Sequence, residues 1–102
     1  MIKINLTIRD ILSLLDIRSD SVKTINFITP LETVVDNSLF FINKPLSVKL
    51  TEDISLLRGC LILSKDGLTL PAKISNDNLV VYSDNPRIAI AKILTYIDKN
   101  SL

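Results

Sequence analysis

The stretch from Leu79 to Ile97 constrains the fold of this chain most tightly. Leu79, Val80, Val81 and Tyr82 are β-branched, apolar or aromatic, in a run too short for a helix, and predict a buried strand. Asp84 and Asn85 stop it. Asn85 suits a helix N-cap, because its side-chain oxygen accepts a bond from an unpaired helical N–H. Pro86 fits the first helical position, where its missing N–H costs nothing. Ile90, Ile93, Leu94 and Ile97 then recur at i, i+3, i+4 and i+7 and give one apolar face. Ala89 and Ala91 are small enough to let that helix lie close to a sheet. Lys99 falls where the helix dipole favours a cation. The stretch reads as a core strand–helix unit.

The rest of the chain supplies further strands and helices. Lys3 to Leu6 alternates as a short strand. Thr7-x-x-Asp10 is a capping-box pattern, and Ile8, Ile11, Leu12 and Leu15 form the stripe of the helix it opens. Asp16 to Asp20 is polar and turn-like and ends it. Thr24 to Ile28 predicts a strand, broken by Thr29-Pro30. Leu31 to Asn37 is a connector. Leu39-Phe40-Phe41-Ile42 is apolar throughout, as in a strand covered on both faces. Leu46 to Leu57 fits one irregular helix or two short helical pieces, starting no earlier than Pro45. Cys60 to Leu63 is another apolar strand, and Lys65-Asp66-Gly67 a turn. Leu68 to Ile74, with Pro71, is a loop or an edge segment. The succession predicts an α/β class: a small single-domain sandwich with a mixed, mostly parallel sheet of about five strands flanked by helices. Asn100-Ser101-Leu102 reads as an end or as the start of a linker.

At 102 residues the chain is one domain, spanning 1–102. Its net charge of +1 gives no electrostatic case for nucleic acid or an anionic membrane. No apolar run is long enough to cross a bilayer, and Met1 to Asn5 lacks an apolar region of signal-peptide length. A soluble, cytoplasmic module is the expectation. Histidine is absent, which removes the commonest general base and the commonest metal ligand. With a single cysteine, Cys60, no internal disulfide is available, and its apolar neighbours make it a small buried hydrophobe rather than a nucleophile. Asp16 with Asp20, and Glu52 with Asp53, are close in sequence but lie in polar stretches that read as surface. The two glycines, Gly59 and Gly67, build no phosphate loop. No catalytic residue, metal ligand set or cofactor motif is expected.

Four stretches, taken together, carry a family resemblance. They are Ile8 to Leu15, Asn37 to Asn43, Gly59 to Ser64 and, most specifically, Val80-Val81-Tyr82-Ser83-Asp84-Asn85-Pro86-Arg87-Ile88-Ala89-Ile90-Ala91-Lys92. In order and character they resemble the N-terminal, non-repeat domain of the UDP-3-O-acylglucosamine N-acyltransferases of lipid A synthesis. The resemblance implies a small α/β domain that holds the uracil end of a UDP-sugar. It also implies a separate catalytic left-handed β-helix of hexapeptide repeats, trimeric and bearing the catalytic histidine, which takes its acyl group from acyl carrier protein or acyl-CoA. That part is not in this chain, so the domain alone is expected to be non-catalytic and monomeric.

Carried over residue by residue, the resemblance implies that Phe40 packs on uracil and Asn43 reads its polar edge. An aromatic face stacks on a base, and an amide offers both a donor and an acceptor. Lys44 and Arg87 are candidate diphosphate contacts. Each residue also has a plainer reading: Phe40 as core, Asn43 as a turn residue, Lys44 and Arg87 as solvated surface charges. Leu46 stands where the family has a tyrosine, so one stacking partner and its hydroxyl are missing. Three functional readings remain open: a UDP-sugar recognition domain, an orienting domain of the same kind of enzyme without nucleotide contact, and a stand-alone interaction module.

Overall fold

A computed structural model describes residues 1–100 of the chain. The reading of Asn100-Ser101-Leu102 as an end or linker falls largely on Ser101 and Leu102, which lie outside the described residues. Five strands form one sheet: β1 (Ile2–Thr7), β2 (Thr24–Ile28), β3 (Ser38–Ile42), β4 (Leu61–Lys65) and β5 (Leu79–Ser83). Three helices accompany them: α1 (Ile8–Ser13), α2 (Val48–Ser55) and α3 (Pro86–Asn100). The strands lie side by side in chain order, β1 antiparallel to β2 and the remaining neighbours parallel. This is the mixed, mostly parallel α/β sheet that the order of elements predicts.

Because the parallel strands advance in one direction, every crossover steps the same way. Crossovers of one hand then fall on one face of the sheet. The three connections are a 3₁₀ turn at Leu31–Thr33, the helix α2 and a 3₁₀ turn at Ala72–Asn76. Leu31, Ile54 and Ile74 from these connections share one core with Phe40, Ile42 and Ile62. On the opposite face, Ile11 and Leu12 of α1 and Ile90 and Ile93 of α3 pack on Leu39, Leu61 and Leu63. The alternation of side chains along each strand divides the interior into these two cores.

The caps form as their residues dictate. The Thr7 hydroxyl accepts the Asp10 N–H at 3.1 Å, and Asn85 Oδ1 accepts the Ile88 N–H at 3.3 Å. Within Leu46 to Leu57 a single regular helix forms, because the Ser47 hydroxyl accepts the Leu50 N–H at 3.1 Å and caps a helix whose first residue, Val48, lies three beyond Pro45. The expected stripe through Leu15 is cut short. Ile17 N–H returns to Leu12 C=O at 2.9 Å and Asp16 N–H to Ser13 C=O at 3.1 Å, with Asp16 at φ 59°. That is a Schellman ending with an aspartate where glycine is usual.

One expectation is corrected here. The strand Leu79 to Tyr82 is not buried: β5 is the open edge of the sheet, and Leu79 and Tyr82 are 38% and 48% exposed. Its residues are apolar because β4 and α3 cover part of it, and composition alone does not distinguish such a strand from a central one. Ala89 is buried against the sheet as expected, whereas Ala91 points to solvent.

Candidate functional site

The parallel strands all end at one rim of the sheet, and loop residues gather there. A hollow of about 420 Å³ opens at this rim beyond the ends of β2 and β3. Pro30, Leu31 and Glu32 line it from the segment after β2, and Asn43 to Leu46 from the segment after β3. Phe41 forms part of the wall, and Arg87 reaches it from the first turn of α3. Small-molecule sites in parallel α/β sheets lie beyond the carboxyl ends of the strands, with volumes of about 300–1,000 Å³.

Asn43, Lys44 and Arg87 therefore come together at one opening. Phe40 does not join them. Its ring is fully buried against Ile42, Ile54 and Ile62 and has no surface in the hollow. The reason is strand parity. Phe40 and Ile42 face α2, whereas Leu39 and Phe41 face α3. Asn43, two residues past Phe41, has the parity of Phe41 and not of Phe40, so the spacing Phe41-x-Asn43 is the sequence signal that identifies the aromatic at the hollow. Leu46 lines the hollow too and leans on the core behind α2.

Among the described residues, no hydrogen bond engages the Asn43 side chain, and neither Lys44 nor Arg87 enters an ion pair. The mouth carries these two cations against the single carboxylate of Glu32. An uncommitted amide beside an aromatic wall and surplus positive charge suits a planar heterocycle bearing an anionic substituent. Next to the hollow in sequence, the Thr29 hydroxyl is buried without a partner, while its N–H donates to Leu39 C=O at 3.1 Å.

Two carboxylates at the β4–β5 end of the same rim have no counterpart among the pairs that the sequence suggests. Asp66 follows β4 and Asp84 follows β5. The Asp66 pKa is raised, first because a protonated Asp66 can donate to the neighbouring Asp84 carboxylate, then through slight desolvation and the charge of Asp84. They are distant in sequence, and only the parallel pairing of β4 with β5 makes them neighbours. By contrast, Asp53 is tied to Lys49 at 3.6 Å along α2, an exposed helix pair of little energetic weight. Among the described residues no group of three or more acidic or cysteine side chains is arranged to hold a metal.

Cys60 is buried, and burial pushes its thiol pKa up. The thiol donates to Val35 C=O at 3.3 Å, and the Ser38 hydroxyl donates to the same oxygen at 2.6 Å. A buried protonated thiol without an adjacent base is a packing group. No helix among the described residues is long and apolar enough to cross a membrane. No protein-family model, no curated protein and no solved structure matches this chain.

Proposed function

We propose that this chain is a cytoplasmic UDP-sugar recognition domain of a hexapeptide-repeat sugar N-acyltransferase, binding the uracil nucleotide in the rim hollow and performing no chemistry itself. The observation that carries this reading is the convergence of the Phe41 ring, the uncommitted Asn43 amide and the unpaired Lys44 and Arg87 on one opening. Phe41 stacks on the base. The Asn43 amide oxygen accepts the uracil N3–H, and its NH₂ donates to a ring carbonyl. Lys44 and Arg87 hold the diphosphate. Acyl transfer belongs to a separate β-helix domain supplied with an acyl carrier protein or acyl-CoA donor.

Titration with UDP, followed by amide shifts, tests it. Stacking on an aromatic contributes about 1–3 kcal/mol per base, so Phe41→Ala is expected to weaken binding by about 5- to 150-fold. Asn43→Ala weakens uridine and UDP alike, whereas Lys44→Ala and Arg87→Ala weaken UDP and leave uridine unchanged. Absence of shifts around the hollow at millimolar UDP sinks the reading. A second reading is favoured by the apolar side of the hollow, where Pro30, Leu31, Pro45 and Leu46 meet. There the domain orients catalytic repeats, or serves as an interaction module, by seating an apolar side chain of a partner in place of a base. It predicts the null UDP result.

A further inference from the structure

The edge strand β5 is unprotected. Leu79 N–H donates to Cys60 C=O at 2.9 Å, and Ser83 C=O accepts the Asp66 N–H at 2.9 Å, so the odd-numbered residues of β5 bond toward β4. By alternation, Val80 and Tyr82 turn their N–H and C=O groups outward. Sheet edges are ordinarily blunted by charge, proline or a bulge. The other edge follows that rule: β1 carries Lys3 and a register break between Lys3 and Leu6. β5 has none of these devices, and its pairing with β4 runs unbroken from Leu79 to Ser83.

An apolar cleft of about 230 Å³ lies beside this edge. Leu15 and Ile17 beyond α1, Val81 of β5 and Ile88 of α3 line it, with Tyr82 at its margin. Ile88 is 54% exposed. The charges near it are mixed, with exposed Lys65 opposite Ser83 at the end of β4 and exposed Asp77 just ahead of β5. Asp66 and Asp84 sit together at the carboxyl end of β5, neither in an ion pair among the described residues, whereas Lys92 lines the α3 wall further along.

We propose that β5 is the docking edge for an extended, basic-ended peptide segment of a partner protein. The segment adds as an antiparallel sixth strand. Its outward groups pair with Val80 and Tyr82, every second side chain enters the cleft, and its amino-terminal lysines or arginines lie against Asp66 and Asp84. Strand addition draws affinity from the main chain and specificity from alternate side-chain pockets. Charge complementarity selects this occupant. A second copy paired antiparallel through β5 would set Asp84 near Asp77 of its twin, a like-charge contact.

The test uses a synthetic peptide of two lysines followed by alternating valine and threonine, and its isomer with glutamates in place of the lysines. The lysine peptide is expected to shift the Val80 and Tyr82 amides and slow their exchange. Tyr82→Pro, which removes an outward N–H at an edge position, abolishes this. Replacing Asp66 and Asp84 together by asparagine weakens binding by about two- to tenfold and does not depend on Tyr82→Pro folding. No change in the β5 amides at millimolar peptide overturns the proposal, as does equal binding of the glutamate isomer. Protection of Val80 and Tyr82 that grows with protein concentration alone assigns the edge to a second copy and overturns it too. UDP binding in the hollow is unaffected by any of these variants, so the two proposals fail separately.

Discussion

The Asn78 side-chain oxygen accepts the Cys60 backbone N–H at 3.0 Å, across the start of the β4–β5 pair. The same amide donates to Leu57 C=O at 3.0 Å and to Ile74 C=O at 2.9 Å. One buried side chain thus joins the end of α2, the second 3₁₀ turn and the sheet. Asn78→Leu keeps the branched shape with bulkier methyl ends and strands the three backbone groups from this amide. Leaving each unpaired costs about 1–3 kcal/mol, so a loss of at least about 3 kcal/mol is expected in urea unfolding. A loss under about 1 kcal/mol means that water takes the place of the amide.

Gly59 has φ +71°, and a β-carbon there runs into the Asn37 side-chain oxygen. Gly67 has φ +88° and open space around it. Both substitutions to alanine incur left-handed strain of about 1–2 kcal/mol. Only Gly59→Ala adds a collision, worth about 1–3 kcal/mol. Paired denaturation curves are expected to rank Gly59→Ala well below Gly67→Ala, with Asn37→Gly recovering part of the difference. Equal losses at the two glycines remove the collision from the account.

Much of this was legible from pattern. Local rules suffice for the strand at Leu39 to Ile42, the caps at Thr7 and Asn85, and the predominantly parallel sheet. What they miss depends on neighbours distant in sequence. Apolar composition cannot reveal that β5 has only one strand beside it, nor that Asp66 meets Asp84. The aromatic at the hollow was a different case. Phe40 and Phe41 are chemically alike, and only counting by twos back from Asn43 separates the fully buried ring from the half-buried one at the hollow.

Asp16 closes α1 with a positive φ of 59°. Glycine takes that conformation without the β-carbon penalty, so Asp16→Gly is expected to raise stability by up to about 1 kcal/mol, offset in part by the freer unfolded chain. Thermal melting reads the change. A lowered midpoint shows that the carboxylate contributes more than its backbone strain removes.

The raised Asp66 pKa sets the sign of a pH effect. The folded chain takes up this proton at higher pH than the unfolded chain does, so at neutral pH the ionised pair opposes folding. The penalty fades as pH falls through the folded value and is gone below the ordinary aspartate range. Asp66→Asn is expected to raise the melting midpoint at neutral pH and to match the parent in acid. A gain that persists unchanged in acid assigns the effect to something other than Asp84.

Every strand is bonded to the one that immediately precedes it along the polypeptide. Each addition therefore closes only a short loop, at small entropic cost, and never waits for a distant segment. A sheet laid down this way is able to grow outward from its first hairpin-like pair as the chain emerges from the ribosome, with β5 and α3 the last pieces to settle.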